Sequence, residues 1–232
     1  MPTSLNLMDV RAETLSAPPR TLHPLLAEFV DDVRALLGHD SPIETRFGLI
    51  GARFGVLLAE PELVDLSEQF PGFDPTKGPE NLLLWSDHSA GFGINALVRA
   101  PGQASSIHDH GSTWTIYGVL SGRDQLENFD RIDDNGQLPT QAHLVSRNIV
   151  ELQARQYDIV PPWAVHQEMG NGTARVVGLI VRSLASGSFV QNRYSNNGAC
   201  TVTQYHGPRQ VPFDLVGMRP LSSGELPWRT TD

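Results

Sequence analysis

From Leu82 onward the sequence breaks into short β-rich runs separated by turn residues, and this punctuation constrains the fold more than anything else in the chain. The runs cover 82–85, 92–99, 113–120, 126–129, 142–145, 158–160, 174–183 and 201–205. Between them stand Pro101-Gly102, Ser121-Gly122, Asp133-Asp134-Asn135-Gly136, Gly170-Asn171-Gly172 and Asn196-Asn197-Gly198, all residues that favour tight turns. Runs of this length at these intervals predict a mainly β jelly-roll barrel. The 21 Gly and 17 Pro in 232 residues agree, since a helix bundle has little use for so many breakers.

The first third reads differently. Leu25, Leu26, Phe29, Val30, Val33, Leu36 and Leu37 recur at helical spacing after Pro24 and stop at Gly38. Ser41-Pro42-Ile43-Glu44 has the form of a capping box opening a second helix to about Leu58, in spite of three interior glycines. Leu63, Leu66 and Phe70 predict a short third helix. The Pro/Gly cluster that follows marks the boundary with the barrel, which divides the chain into a helical arm (1–75), a barrel (76–208) and a Pro-rich tail (209–232) expected to run over the surface.

A formal net charge of -9, with no basic stripe, excludes a phosphate-backbone partner. No apolar run reaches the length of a membrane span or a signal-peptide core. Cys200 is the sole cysteine, so no internal disulfide can form. These features lead to the expectation of a cytoplasmic protein that binds neither nucleic acid nor membrane; they set no oligomeric state.

His108-Asp109-His110 supplies two imidazoles which the period-two alternation of a strand sends to one face. Gly102 stands six residues before His108 and Gly122 twelve after His110, while Pro161-Pro162-Trp163-Ala164-Val165-His166 brings a third histidine after another β-run. His108, His110 and His166 are therefore the candidate metal ligands. Three neutral imidazoles leave the charge of a divalent ion unbalanced and part of its coordination sphere open, which favours anionic ligands such as a thiolate together with O2. Zinc also accepts three histidines and a water, so this donor set alone leaves a hydrolytic site open.

The framed histidines resemble the cupin superfamily. Its first motif is matched by Gly102, His108, His110 and Gly122, with the motif's glutamate position falling on Trp114 or Thr115; its second is matched by Pro161 and His166, with its glycines and asparagine replaced. The stretch from Gly102 to His110 is similar to the cysteine dioxygenase group of thiol dioxygenases, which also lack the glutamate. Gly118-Val119-Leu120-Ser121-Gly122 resembles the 3-mercaptopropionate dioxygenase branch, and Thr201-Val202-Thr203-Gln204-Tyr205-His206 resembles the family's closing hairpin. The resemblance implies a double-stranded β-helix with an N-terminal helical arm, an Fe(II) cofactor, and oxidation of a small thiol by O2.

The match is uneven around the site. The family's Ser-x-His-x-Tyr triad falls on Gly178, Ile180 and Arg182, its usual substrate arginine near Glu80 or Asn81, and its crosslinking cysteine on Thr115. If Arg182 faces the interior, a guanidinium enters the cavity, where an acidic substrate would answer its charge. Arg99 is the second candidate for that role. Trp114, Tyr117 and Trp163 are expected to line or close the cavity and exclude water. The reading is an Fe(II)-dependent dioxygenase converting a small anionic thiol to a sulfinate. The alternatives are another metal-dependent cupin enzyme, whether a carbon-carbon-cleaving dioxygenase or a hydrolase, and a non-enzymatic ligand-binding cupin.

Overall fold

The computed structural model describes residues 22–72, 79–133, 141–170, 172–183, 191–195, 199–205, 209–222 and 225. Among the described residues three helices precede the strands: α1 (Pro24–Gly38), α2 (Ile43–Ala59) and α3 (Pro61–Ser67). The strands follow as β1 (Glu80–Asp87), β2 (Phe92–Arg99), β3 (Ile107–His108), β4 (Thr115–Ser121), β5 (Arg123–Arg131), β6 (Gln141–Gln153) and β7 (Tyr157–Val160). After them come β8 (Val165–Glu168), β9 (Val176–Ser183), β10 (Gln191–Tyr194), β11 (Ala199–Tyr205), β12 (Gln210–Asp214) and β13 (Arg219–Pro220). One sheet has the order β13-β12-β1-β2-β9-β4-β7, and β10-β11-β6-β5-β8-β3 close into a ring. The molecule is a double-stranded β-helix barrel carrying a helical arm, as the strand punctuation predicts.

The centre of the seven-stranded sheet is buried on both faces, which is why β2 is buried along its whole length. Alternation sends Ile94, Ala96 and Val98 of β2 and Val177, Leu179 and Val181 of β9 outward against the helices. There they join Leu26, Phe29, Val33, Phe54 and Leu58 in the larger core. The opposite face turns Leu97, Tyr117, Val119 and Ile180 toward Leu126 and Leu152 of the second layer. The site lies in this inner space.

The arm is fixed by charge as well as by apolar packing. Arg53 of α2 donates to the buried Asp32 of α1 at 2.5 Å, and Arg34 donates to the buried Asp87 at the end of β1 at 2.6 Å. Two of the α2 glycines have a packing reason: a Cβ on Gly55 would stand 2.9 Å from the Tyr157 ring and one on Gly51 3.0 Å from it, so β7 approaches the helix only because neither has a side chain. No helix among the described residues is long and apolar enough to cross a membrane.

Two local expectations need correction. Pro42 takes the N-cap position of α2, with no side-chain cap hydrogen bond, so Ser41 falls one residue outside the helix and the capping box does not form. The segment after 208 does more than cover the surface: β12 pairs in parallel with β1, and Phe213 is buried in an edge-to-face contact with Phe70. The turns at 134–136, Asn171 and 196–198, residues 73–75 of the proposed boundary, and His206 lie outside the described residues.

Candidate metal centre

His108 ends β3, a two-residue strand held between β8 and β10, and in the β3–β8 ladder its register partner is His166. His110 follows two residues later, at a turn closed by the Asp109 carboxylate, whose Oδ1 accepts the Gly111 N–H at 2.9 Å. Asp109 also ties this turn to β10, accepting from the Asn192 side chain at 2.9 Å and the Tyr194 hydroxyl at 2.7 Å. Three buried rings thus converge from two distant parts of the chain, with centroids 4.6 to 5.0 Å apart. One nitrogen from each ring lies within 4.8 Å of the other two, and the three histidines form a metal-binding group.

Hydrogen bonds orient two of the rings. His108 Nδ1 lies 2.9 Å from the Ser106 carbonyl, which can only accept, so that nitrogen carries the proton and Nε2 keeps its lone pair. His110 Nδ1 lies 2.7 Å from the Gln191 side-chain amide, a group that donates or accepts according to its flip. His166 Nδ1 has no partner among the described residues. Burial, first of all, pulls the His108 pKa from 6.5 down to about 4, opposed by the Glu168 carboxylate and reinforced by His166. Burial and the neighbouring His108 and Arg182 hold His110 well below its ordinary value. His108 and His110 are therefore neutral at pH 7, the state in which imidazole ligates a metal. Three buried imidazoles in one cluster, two of them oriented by hydrogen bonds, fit a divalent transition metal.

The cavity over these rings measures about 290 Å³ and draws its walls from both layers. Arg182 enters it from β9 beside Ile180, as alternation requires, and is buried. Burial lowers its pKa to about 10, against the pull of Glu168, so the guanidinium remains charged at neutral pH. Tyr117 also lines the cavity, its ring against Gly178, where an added Cβ would meet it at 2.6 Å. Gly178 is thus the space that admits Tyr117.

The other predicted residues are placed differently. Arg99 reaches the wall but is already answered: its guanidinium pairs with the buried Asp124 and donates to Tyr117 Oη at 2.9 Å, while Tyr117 donates to Asp124 at 2.5 Å. Trp114 lies on the helix face of β4, 4.6 Å from Phe47, because odd-numbered Thr115 and Tyr117 take the inner positions. Trp163 is 61% exposed, in a left-handed turn whose N–H donates to Gly111, and lines no part of the cavity.

Sequence reasoning missed Glu168 and Gln191. Glu168 follows His166 by two residues, so alternation puts both side chains on the inner face of β8, and its Oε1 lies 3.7 Å from His166 Nε2. Burial alone would raise its pKa; the neighbouring His108, His166 and Arg99 outweigh that and hold the carboxyl well below the usual range. The spacing His-x-Glu on a β-run was the available signal. Gln191 has no such signal, since it belongs to β10, a strand too polar to stand out.

No family model matches the chain, and no curated protein matches it. Among solved structures, a conserved protein with a double-stranded β-helix domain from Klebsiella pneumoniae is 16% identical, covering 60% of this chain and 95% of its own, with a TM-score of 0.39. A cupin 2 conserved barrel domain protein from Salinispora arenicola is 21% identical over 46% of this chain and 75% of its own, with a TM-score of 0.33. Oxalate oxidase in complex with the substrate analogue glycolate is 16% identical over 49% of this chain and 56% of its own, with a TM-score of 0.39.

Proposed function

We propose that this protein is an Fe(II)-dependent dioxygenase that converts a small anionic thiol to a sulfinate with O2. The observation that carries the reading is the convergence of His108, His110 and His166 on a cavity of about 290 Å³ that also admits the Arg182 side chain. A cavity of that size stands at the small end of ligand pockets, which run roughly 300–1,000 Å³, and so suits a small molecule.

The three histidines would hold the ion, which when bound supplies the redox chemistry that lets O2 react with a thiolate. Arg182 binds the acidic group of the substrate, a charge-assisted contact strengthened by burial. Leu97, Tyr117 and Ile180 form the apolar part of the wall and limit water around the substrate. The Arg99–Asp124–Tyr117 network keeps the Tyr117 ring in place.

Fe(II)-loaded protein given a panel of short mercapto acids is expected to consume O2 and release the matching sulfinate, read by mass spectrometry. Loaded protein that leaves every thiol untouched would end this reading. A second reading, metal-assisted hydrolysis, is favoured by one observation: the buried carboxylate of Glu168 beside the histidines, a group able to accept a hydrogen bond from an activated water and orient it.

A further inference from the structure

The geometry points to Glu168 as an anionic fourth donor of the metal site, reached from the third-histidine strand. This rests on the metal-binding part of the reading above and is independent of the substrate.

Glu168 is the one carboxylate that lines the cavity among the described residues. Its residue is 5% exposed, Oε2 is buried without a hydrogen-bond partner, and Oε1 stands 3.7 Å from His166 Nε2, the one ion-pair neighbour it has among the described residues. A buried carboxylate with an idle oxygen is costly unless something positive completes it. Arg99 is matched to Asp124 and does not fill that place.

The charge balance points the same way. A divalent ion held by three neutral imidazoles, with the Arg182 guanidinium in the same cavity, concentrates positive charge in a space shielded from water. One carboxylate at its edge removes much of that repulsion. The backbone holds Glu168 in position, because its N–H donates to Ser105 Oγ at 3.0 Å and its carbonyl accepts from the Ser105 N–H at 2.8 Å. The three imidazoles are the mutually close set, and Glu168 meets it through His166; the unpartnered Oε2 leaves the carboxylate free to turn.

The test is titration of the metal-free full-length protein with Co(II), read by visible absorption and chelator competition, for wild type, Glu168→Gln and Glu168→Ala. Glu168→Gln keeps the shape but removes the charge, and is expected to weaken Co(II) at least about 10-fold and to alter the intensity of its bands. Added formate is expected to restore the wild-type bands in Glu168→Ala, because a free carboxylate occupies the vacated space. Glu168→Gln with unchanged affinity and bands overturns the proposal while leaving the three-histidine site intact. Wild-type protein that binds no Co(II), Mn(II) or Fe(II) overturns both. If Glu168→Gln does not fold, Glu168→Asp decides: a shifted Co(II) band supports the role, and an unshifted band overturns it.

Discussion

His108 and His166 are register partners across the β3–β8 ladder, with ring centroids 4.6 Å apart, so the link between the two halves of the metal centre is a backbone pairing and not a loop. The same strand pairs that close the ring of β10-β11-β6-β5-β8-β3 therefore bring the ligands together before any ion arrives. His166→Ala removes one donor without touching that pairing. Metal affinity is expected to fall by more than about 100-fold, beyond the loss usual for a group that only supports a ligand, while the far-UV circular dichroism stays unchanged. Metal analysis of the purified variant checks it.

Acid is expected to destabilise the metal-free protein over a defined range. The folded His108 has its pKa pulled from 6.5 to about 4, chiefly by burial. Between those values the unfolded chain takes up a proton that the folded one refuses, so stability falls as pH drops through this range and levels off below about pH 4. At about 1.4 kcal/mol for each pH unit, one such imidazole contributes on the order of 3 kcal/mol. Urea unfolding from pH 7 to 4.5 reads the slope, which His108→Gln is expected to flatten. Equal stability at both ends would show that the buried ring does not resist protonation.

The sequence made the scaffold legible and concealed parts of the site, for one physical reason. The eight expected β-runs are all strands, because each faces an apolar layer on at least one side; β2 and β9, buried on both, read as continuous apolar runs. The strands that escaped notice include β3, β8 and β10, with sequences IH, VHQE and QNRY. Their inner residues face the cavity, so polar side chains stand where an apolar pattern would otherwise reveal a strand. The histidines stood out only through the glycines and prolines around them, whereas Glu168 and Gln191 had no such frame. Trp114 and Tyr117 were both expected at the cavity, but residues three apart on one run fall on opposite faces, and only Tyr117 points inward.

Asp124 is expected to be the most sensitive charged residue outside the metal group. It is fully buried and accepts from Arg99, Tyr117 and the Gly170 N–H, joining β2, β4 and β5 to the loop after β8. Asp124→Leu leaves the Arg99 guanidinium buried without its anion, which costs about 3–5 kcal/mol. Asp124→Leu combined with Arg99→Met, which removes both charges, is expected to recover most of that loss. Chemical denaturation of Asp124→Leu, Arg99→Met and the double variant measures it; a double variant no more stable than Asp124→Leu would deny that charge pairing is what Asp124 supplies.

Arg182 separates a substrate role from a structural one. Arg182→Met keeps much of the side-chain volume and its apolar stem but removes the charge, which burial has already made less favourable, as its pKa of about 10 records. If the guanidinium answers the acidic group of the substrate, the variant loses one charge-assisted contact, of about 1.5–3 kcal/mol, and kcat/KM for a mercapto acid falls on the order of 10- to 100-fold. A thiol of the same length ending in an uncharged amide forms no such pair, so its kcat/KM is expected to change little. Metal content should stay at the wild-type level, because Arg182 donates nothing to the ion. Equal losses for both thiols, or loss of the metal with the activity, would assign Arg182 to holding the cavity wall instead.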